Sequence, residues 1–196
     1  MKKFLVMVVA AIMASMSVNA QTAGSLNYRA QVGPNLSKLT GSDDFKYKVG
    51  YTAGVGIDYC LTNQFAIGFD INNNYIGTKS KALNDEDISL HYFGFGPLAK
   101  LYATPWMALY AGPEINFLTS AKIADTSNMS KFKKTEFAVP LGISFEPIIS
   151  KSRNIAITID LRYRLGLSKV NKSDPFWDKD VKNSTFILTI GYKSPF

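Results

Sequence analysis

Thiol and imidazole are almost missing from this chain: its 196 residues include one cysteine, Cys60, and one histidine, His91. A lone cysteine excludes an intramolecular disulfide, and its position near a strand end suits a small buried side chain. A lone histidine excludes a histidine-rich metal site, and no metal or cofactor is expected. P-loop, dinucleotide fingerprint, HExxH and GxSxG are all absent. After the first twenty residues no apolar run reaches the roughly 18 residues of a membrane-crossing helix. Yet 46% of the residues are hydrophobic and 13% aromatic. That surface must be covered by other means.

The first twenty residues stand apart. Lys2 and Lys3 precede an apolar run from Phe4 to Ala14, and Val18-Asn19-Ala20 puts small residues where a signal peptidase cuts. Residues 1–20 read as a secretory signal peptide cleaved after Ala20, and 21–196 as the exported domain. No cysteine follows the cut to carry a lipid anchor. Loss of Lys2 and Lys3 takes the formal net charge from +7 to +5. Export makes nucleic acid a poor partner for this basic balance and a polyanionic cell surface a natural neighbour.

What the chain does have is alternation. In the stretch from Ile155 to Leu167 every odd position is apolar: Ile155, Ile157, Ile159, Leu161, Tyr163, Leu165 and Leu167. The even positions hold Ala156, Thr158, Asp160, Arg162, Arg164 and Gly166. A period of two is a strand with two unlike faces, and its length suits a tilted strand in a bilayer, which takes about 9–11 residues. Seven more segments share the pattern: 26–37, 47–59, 65–75, 90–102, 106–118, 135–146 and 184–193. The connections at 60–64, 103–105 and 148–154 are short; those at 38–46, 76–89, 119–134 and 168–183 are longer and polar. Short turns at one end and long loops at the other predict an all-β fold, an eight-stranded antiparallel up-and-down transmembrane β-barrel in the outer membrane. The long loops then face outward, with both termini on the periplasmic side.

Glycine separates this barrel from a soluble one turned inside out. Eleven of the fourteen glycines fall inside the strands, every one on the polar parity. The lumen of an eight-stranded barrel is just wide enough for side chains and needs small residues beside large ones. Aromatic girdles are expected at Tyr28, Tyr59, Phe65, Trp106 and Tyr192 on the periplasmic edge, and at Tyr47, Tyr75, Phe117, Phe137 and Phe186 on the outer edge. Pro34, Pro97, Pro113 and Pro140 lie inside strands, where each removes a ladder donor, and local bulges are expected there.

The segments Gly33-Pro34-Asn35-Leu36-Ser37, Gly56-Ile57-Asp58-Tyr59, Pro97-Leu98-Ala99-Lys100-Leu101-Tyr102 and Leu161-Arg162-Tyr163-Arg164-Leu165-Gly166-Leu167-Ser168 resemble the small PorT-like outer-membrane barrels of Bacteroidetes. The resemblance spans the exported chain. Phe93-Gly94-Phe95-Gly96 departs from it, replacing the branched residues common before that proline. It implies an eight-stranded barrel and no particular chemistry.

The polar parity carries Arg29, Lys48, Lys100, Arg162, Arg164 and Lys193 against Asp58, Asp70, Glu114, Glu136, Glu146 and Asp160. Six bases against six acids predict an interior charge network, because a buried charge is costly unless it is paired. Arg162 and Arg164 should be its centre, with Glu114 or Glu136 as partners. A barrel plugged in this way should not conduct. Ser89 and His91, with Glu86 and Asp87 nearby, supply the residue types of a lipid hydrolase, though a rim histidine among headgroups is the plainer reading. The loop lysines Lys122, Lys131, Lys133 and Lys134 could meet lipopolysaccharide phosphates, or be no more than a solvated loop, and Phe176 and Trp177 could anchor a partner or pack on the rim. The leading expectation is a non-enzymatic, monomeric barrel with a structural or surface-interaction role. Its neighbours would be outer-membrane lipid, lipopolysaccharide and an unknown envelope protein. A narrow channel and a lipid-modifying hydrolase are the alternatives.

Overall fold

The computed structural model describes residues 21–41, 44–80, 86–124, 126–150, 152–172 and 180–196. The signal peptide and the Phe176–Trp177 pair lie outside them. The strands are β1 (Leu26–Thr40), β2 (Phe45–Cys60), β3 (Phe65–Ser80), β4 (Glu86–Thr104), β5 (Met107–Ala111), β6 (Glu114–Ile123), β7 (Thr126–Ser127), β8 (Thr135–Phe145), β9 (Ile148–Ser150), β10 (Ile155–Gly166) and β11 (Lys182–Pro195). All pairings are antiparallel. β5 and β6 form one interrupted stave between β4 and β8, and β1 pairs with β11 to close a ring of eight hydrogen-bonded staves. A closed ring satisfies every strand edge, which is the condition for strands in lipid.

The apolar parity faces outward. Val49 is 67% exposed and Ile190 59%, so this surface is a coat for lipid and no core. The girdle aromatics also point outward, with Tyr28 edge-on to Phe196 at 5.4 Å and 6.0 Å from Tyr192. Glycine on the inner face makes room for large polar neighbours across the ladder. A Cβ at Gly142 would run into the Tyr110 ring, its partner in register. One at Gly68 would stand 2.6 Å from an Asp58 carboxylate oxygen.

Six strands run past their expected outer ends, to Thr40 on β1, back to Phe45 on β2, to Ser80 on β3, back to Glu86 on β4, to Ile123 on β6 and back to Lys182 on β11, so the first outer connection is only 41–44. Alternation continues there with its polarity exchanged. Leu39, Phe45, Ile76, Ile88, Leu90, Leu118 and Ile123 point inward and are buried, whereas Lys46, Lys79, Asp87 and Lys122 point outward and are exposed. Outside the bilayer the barrel has water on its wall, so apolar side chains belong inside.

The prolines do not cause bulges. Register is unchanged across each of them; the ladder omits bonds on one side. Pro34 pairs with Tyr51 on β2 but not with β11, and Pro97 pairs with Phe69 on β3. Ala99↔Ala111 and Phe95↔Ile115 set Pro97 opposite Pro113, and Leu141↔Ala111 and Ala138↔Glu114 set Pro140 opposite Gly112. Two prolines facing each other offer no donor from either side, so the β5–β6 stave is interrupted. The register shifts lie elsewhere, in β2 between Tyr47 and Tyr51, in the β4–β6 ladder at His91 and Tyr92, in the β4–β5 ladder between Tyr102 and Thr104, and in the β9–β10 ladder at Ile155 and Ala156.

Candidate functional site

The inner face of the staves brings eleven charged side chains together, all buried. At the end with the short connections Lys193 Nζ lies 2.6 Å from Glu146, and Lys100 Nζ lies 3.6 Å from Glu146 and 2.7 Å from Asp58. Arg29 spans Asp58 at 3.4 Å and Asp70 at 2.7 Å. Arg162 continues the chain to Asp70 at 3.1 Å and to Asp160 at 3.4 Å. Further out Arg164 forks, with Nε 2.7 Å from Glu114 and Nη2 2.6 Å from Glu136. Charge-assisted pairs of this length are the strong class. Asn72 Nδ2 also donates to Glu114 at 3.4 Å. Glu114 and Glu136 thus share Arg164, while Arg162 turns to aspartates.

Buried tyrosines complete the network, and the charge count alone did not reveal them. The Tyr110 hydroxyl donates to Asp160 at 2.6 Å and accepts from Arg162 Nε at 2.8 Å. The Tyr102 hydroxyl donates to Glu146 at 3.1 Å and accepts from Lys193 Nζ at 2.7 Å. Their even parity, shared with Gly112 and with Lys100, was the available signal. Cys60 is buried beside Ala66, Tyr102 and Ala108 at this end.

Lys48 is the exception among the expected interior charges. The extra residue in β2 between Tyr47 and Tyr51 pushes it off the inner face. Beneath the bulge, β1 reaches β3 directly: Ser37 Oγ accepts from Gly77 N at 2.7 Å, and Asn35 Nδ2 donates to the Tyr75 carbonyl at 3.1 Å. Lys48 Nζ instead meets the outward-facing Ser89 Oγ at 2.7 Å and Asp87 at 3.0 Å. Among the described residues the interior therefore holds five bases, Arg29, Lys100, Arg162, Arg164 and Lys193, against six acids.

The outer end of the lumen is closed. Buried Leu39, Ile76, Ile88, Leu90, Tyr92, Leu118 and Ile123 form one cluster with Phe132, Val170 and Val181 from the outer connections. A 3-10 turn at Met129–Lys131 aims Phe132 inward, a bridge joins Phe132 to Asn171, and Lys133 N donates to the Val170 carbonyl at 2.7 Å. The segment that carries Lys131, Lys133 and Lys134 is thus tied across the mouth. Lys122 and Lys134 are exposed, Lys131 and Lys133 half-buried.

Ser89 and His91 each hydrogen-bond to other side chains. Ser89 Oγ accepts from Lys48 and from the Tyr75 hydroxyl, while His91 Nε2 meets the Tyr51 hydroxyl at 3.1 Å.

A ring of eight antiparallel staves, apolar outside and charged within, defines a small outer-membrane β-barrel. The chain belongs to the outer membrane protein beta-barrel domain family, whose model matches residues 19–172. No curated protein matches it. Among solved structures it is similar to Neisserial surface protein A, over 90% of this chain and 100% of that one, with a TM-score of 0.52 at 16% identity. Ail, the attachment invasion locus protein of Yersinia pestis, aligns over 88% of this chain and 99% of its own, with a TM-score of 0.50 at 19% identity. The outer membrane protein AlkL, solved in lipid bilayers, aligns over 90% and 92%, with a TM-score of 0.50 at 11% identity. At these identities the likeness is one of fold.

Proposed function

We propose that this protein is a non-conducting, non-enzymatic barrel of the PorT-like kind, exported by cleavage after Ala20. It acts as a monomeric structural scaffold that presents its outer connections to partners at the cell surface. The observation that carries this reading is the doubly filled lumen. The charged side chains occupy the middle in short pairs, and the cluster around Phe132 fills the outer mouth. Eight staves leave little room for water beside such contents. The segment with Lys131, Lys133 and Lys134 is held in place by Phe132, which makes it a defined surface for an acidic partner. A hydrolase would need a base on Ser89, and Lys48 is held there by the Asp87 carboxylate.

Planar-bilayer recording of the purified full chain tests the reading. No steady current is expected; stable open single channels would overturn it in favour of a narrow channel.

A further inference from the structure

Among the described residues the lumen has one acid more than it has bases, and the surplus has a place. Arg29, Lys100, Arg162 and Lys193 meet Asp58, Asp70, Asp160 and Glu146, four against four, in one run of ion pairs. Beyond that run Glu114 and Glu136 divide a single base, Arg164. Every oxygen of the two carboxylates accepts from nitrogen. Glu114 takes Arg164 Nε at 2.7 Å and Asn72 Nδ2 at 3.4 Å; Glu136 takes Arg164 Nη2 at 2.6 Å and Asn183 Nδ2 at 2.9 Å. The two carboxylates and their arginine together leave one negative charge over.

A second feature coincides with the first. Asn116 is fully buried, opposite Glu136 in register and two residues from Glu114, and neither its Oδ1 nor its Nδ2 has a partner. A Cβ at Gly94 would run into Asn116 Oδ1 and stand 3.5 Å from the Glu114 carboxyl carbon, so amide oxygen and carboxylate converge over that glycine. Asn72 Oδ1 is unpartnered as well, and turning that amide to find a donor would set oxygen against the Glu114 carboxylate. Two donors, Asn74 Nδ2 and Arg164 Nη1, are also left over. Buried polar atoms without partners are costly. Along the strands this level lies between the ion-pair run and the apolar plug, since Ile76 follows Asn74 and Leu118 follows Asn116.

A proton on one carboxylate would supply the missing charge but satisfy at most one acceptor. Thiolate and imidazole, the soft ligands of transition metals, are absent from this group of side chains. A hard cation that keeps some of its water does more. The ion meets carboxylate and amide oxygens, and its waters serve the remaining donors and acceptors. We propose that the lumen holds one partly hydrated monovalent cation, sodium or potassium, bound by Glu114, Glu136 and Asn116 Oδ1. A single positive charge balances the level.

The test refolds the full chain from urea into phosphatidylcholine nanodiscs, in the chloride salt of sodium, potassium, calcium or N-methylglucamine at one ionic strength. Gel migration against temperature reads stability. The transition should lie about 3 °C or more higher in sodium or potassium than in N-methylglucamine, which is too bulky for the lumen. Glu114→Gln removes the surplus charge and should abolish that difference. If this variant folds poorly, Asn116→Ala takes its place. Asn116 has no hydrogen bond to lose, and without its Oδ1 the difference should shrink. Crystals grown in rubidium chloride should show anomalous scattering between Glu114, Glu136 and Asn116. Equal transitions in all four salts, an undiminished difference in the folded variant, a rubidium signal only elsewhere, or stabilisation by calcium alone would each overturn the proposal. So would a chain indifferent to the cation but loosened by raising the pH, which would assign the missing charge to a carboxyl proton. Channel current would strike only the closed-lumen reading.

Discussion

Single residues differ sharply in how replaceable they are inside this lumen. Among the described residues Glu114 and Glu136 have Arg164 as their only salt-bridge base, while Asp70 keeps Arg29 and Asp160 keeps the Tyr110 hydroxyl when Arg162 is lost. Arg164→Ala should therefore cost about 3–5 kcal/mol, because it strands two buried carboxylates. Arg162→Ala should cost clearly less. Urea unfolding of the two variants in lipid vesicles checks both magnitude and order, and equal losses would contradict the partner assignment. Adding Glu114→Gln and Glu136→Gln to an Arg164→Met chain should recover much of the loss, since no unpaired charge remains. Gly142→Val is expected to fail in another way. Its side chain would meet the Tyr110 ring and hydroxyl and drive that hydroxyl from Asp160 and Arg162. A sharp fall in the compact, heat-modifiable form on detergent gels is the expected outcome.

At the scale of elements, the weak place in the wall is where Pro97 faces Pro113. The ladder there lacks bonds across Gly96–Leu98 and Gly112–Glu114. Amides of Ala99 and Ile115, whose bonds flank the gap, should exchange with deuterium faster than those of Leu98 and Glu114, which face β3 and β8, as measured in nanodiscs. The outer plug has its own test. A cysteine placed at Ile88 should resist a water-soluble thiol reagent, and Phe132→Ala should make it reactive by removing the side chain that seals the mouth. The sequence showed the staves because lipid imposes one rule, apolar out, over the central residues of every strand. It did not show their outer ends, since Ile88 and Leu90 keep the parity of Gly94 while the solvent outside changes from lipid to water. Lys48 was misplaced for a related reason. A one-residue bulge flips a side chain to the other face, and nothing in Tyr47-Lys48-Val49-Gly50 marks which residue is extra. Tyr110 was legible by parity alone, but charge counting passed over a neutral phenol.

For the molecule as a whole, orientation decides which connections meet the medium. The outer connections carry the polarity inversion and the lysines, and the tight connection at 61–64 lies at the other end with Cys60 and Tyr102. Cysteines introduced at Lys122 or Lys134 should be labelled on intact cells by an impermeant thiol reagent, and those at Asn63 or Ser152 should be protected. The reverse pattern would turn the barrel over.

The ion pairs of the lumen also divide in a way that bears on assembly. Arg29, Lys100, Asp58 and Asp70, all on β1 to β4, neutralise one another, and on the remaining staves Arg162, Arg164 and Lys193 each find a carboxylate. Among the described residues only Lys100–Glu146 and Arg162–Asp70 cross between the two sets. Each half-sheet can therefore curl with its inner face already electrically quiet. The chain can enter the bilayer as two nearly neutral halves, with those two ion pairs left to lock the seam when β11 meets β1.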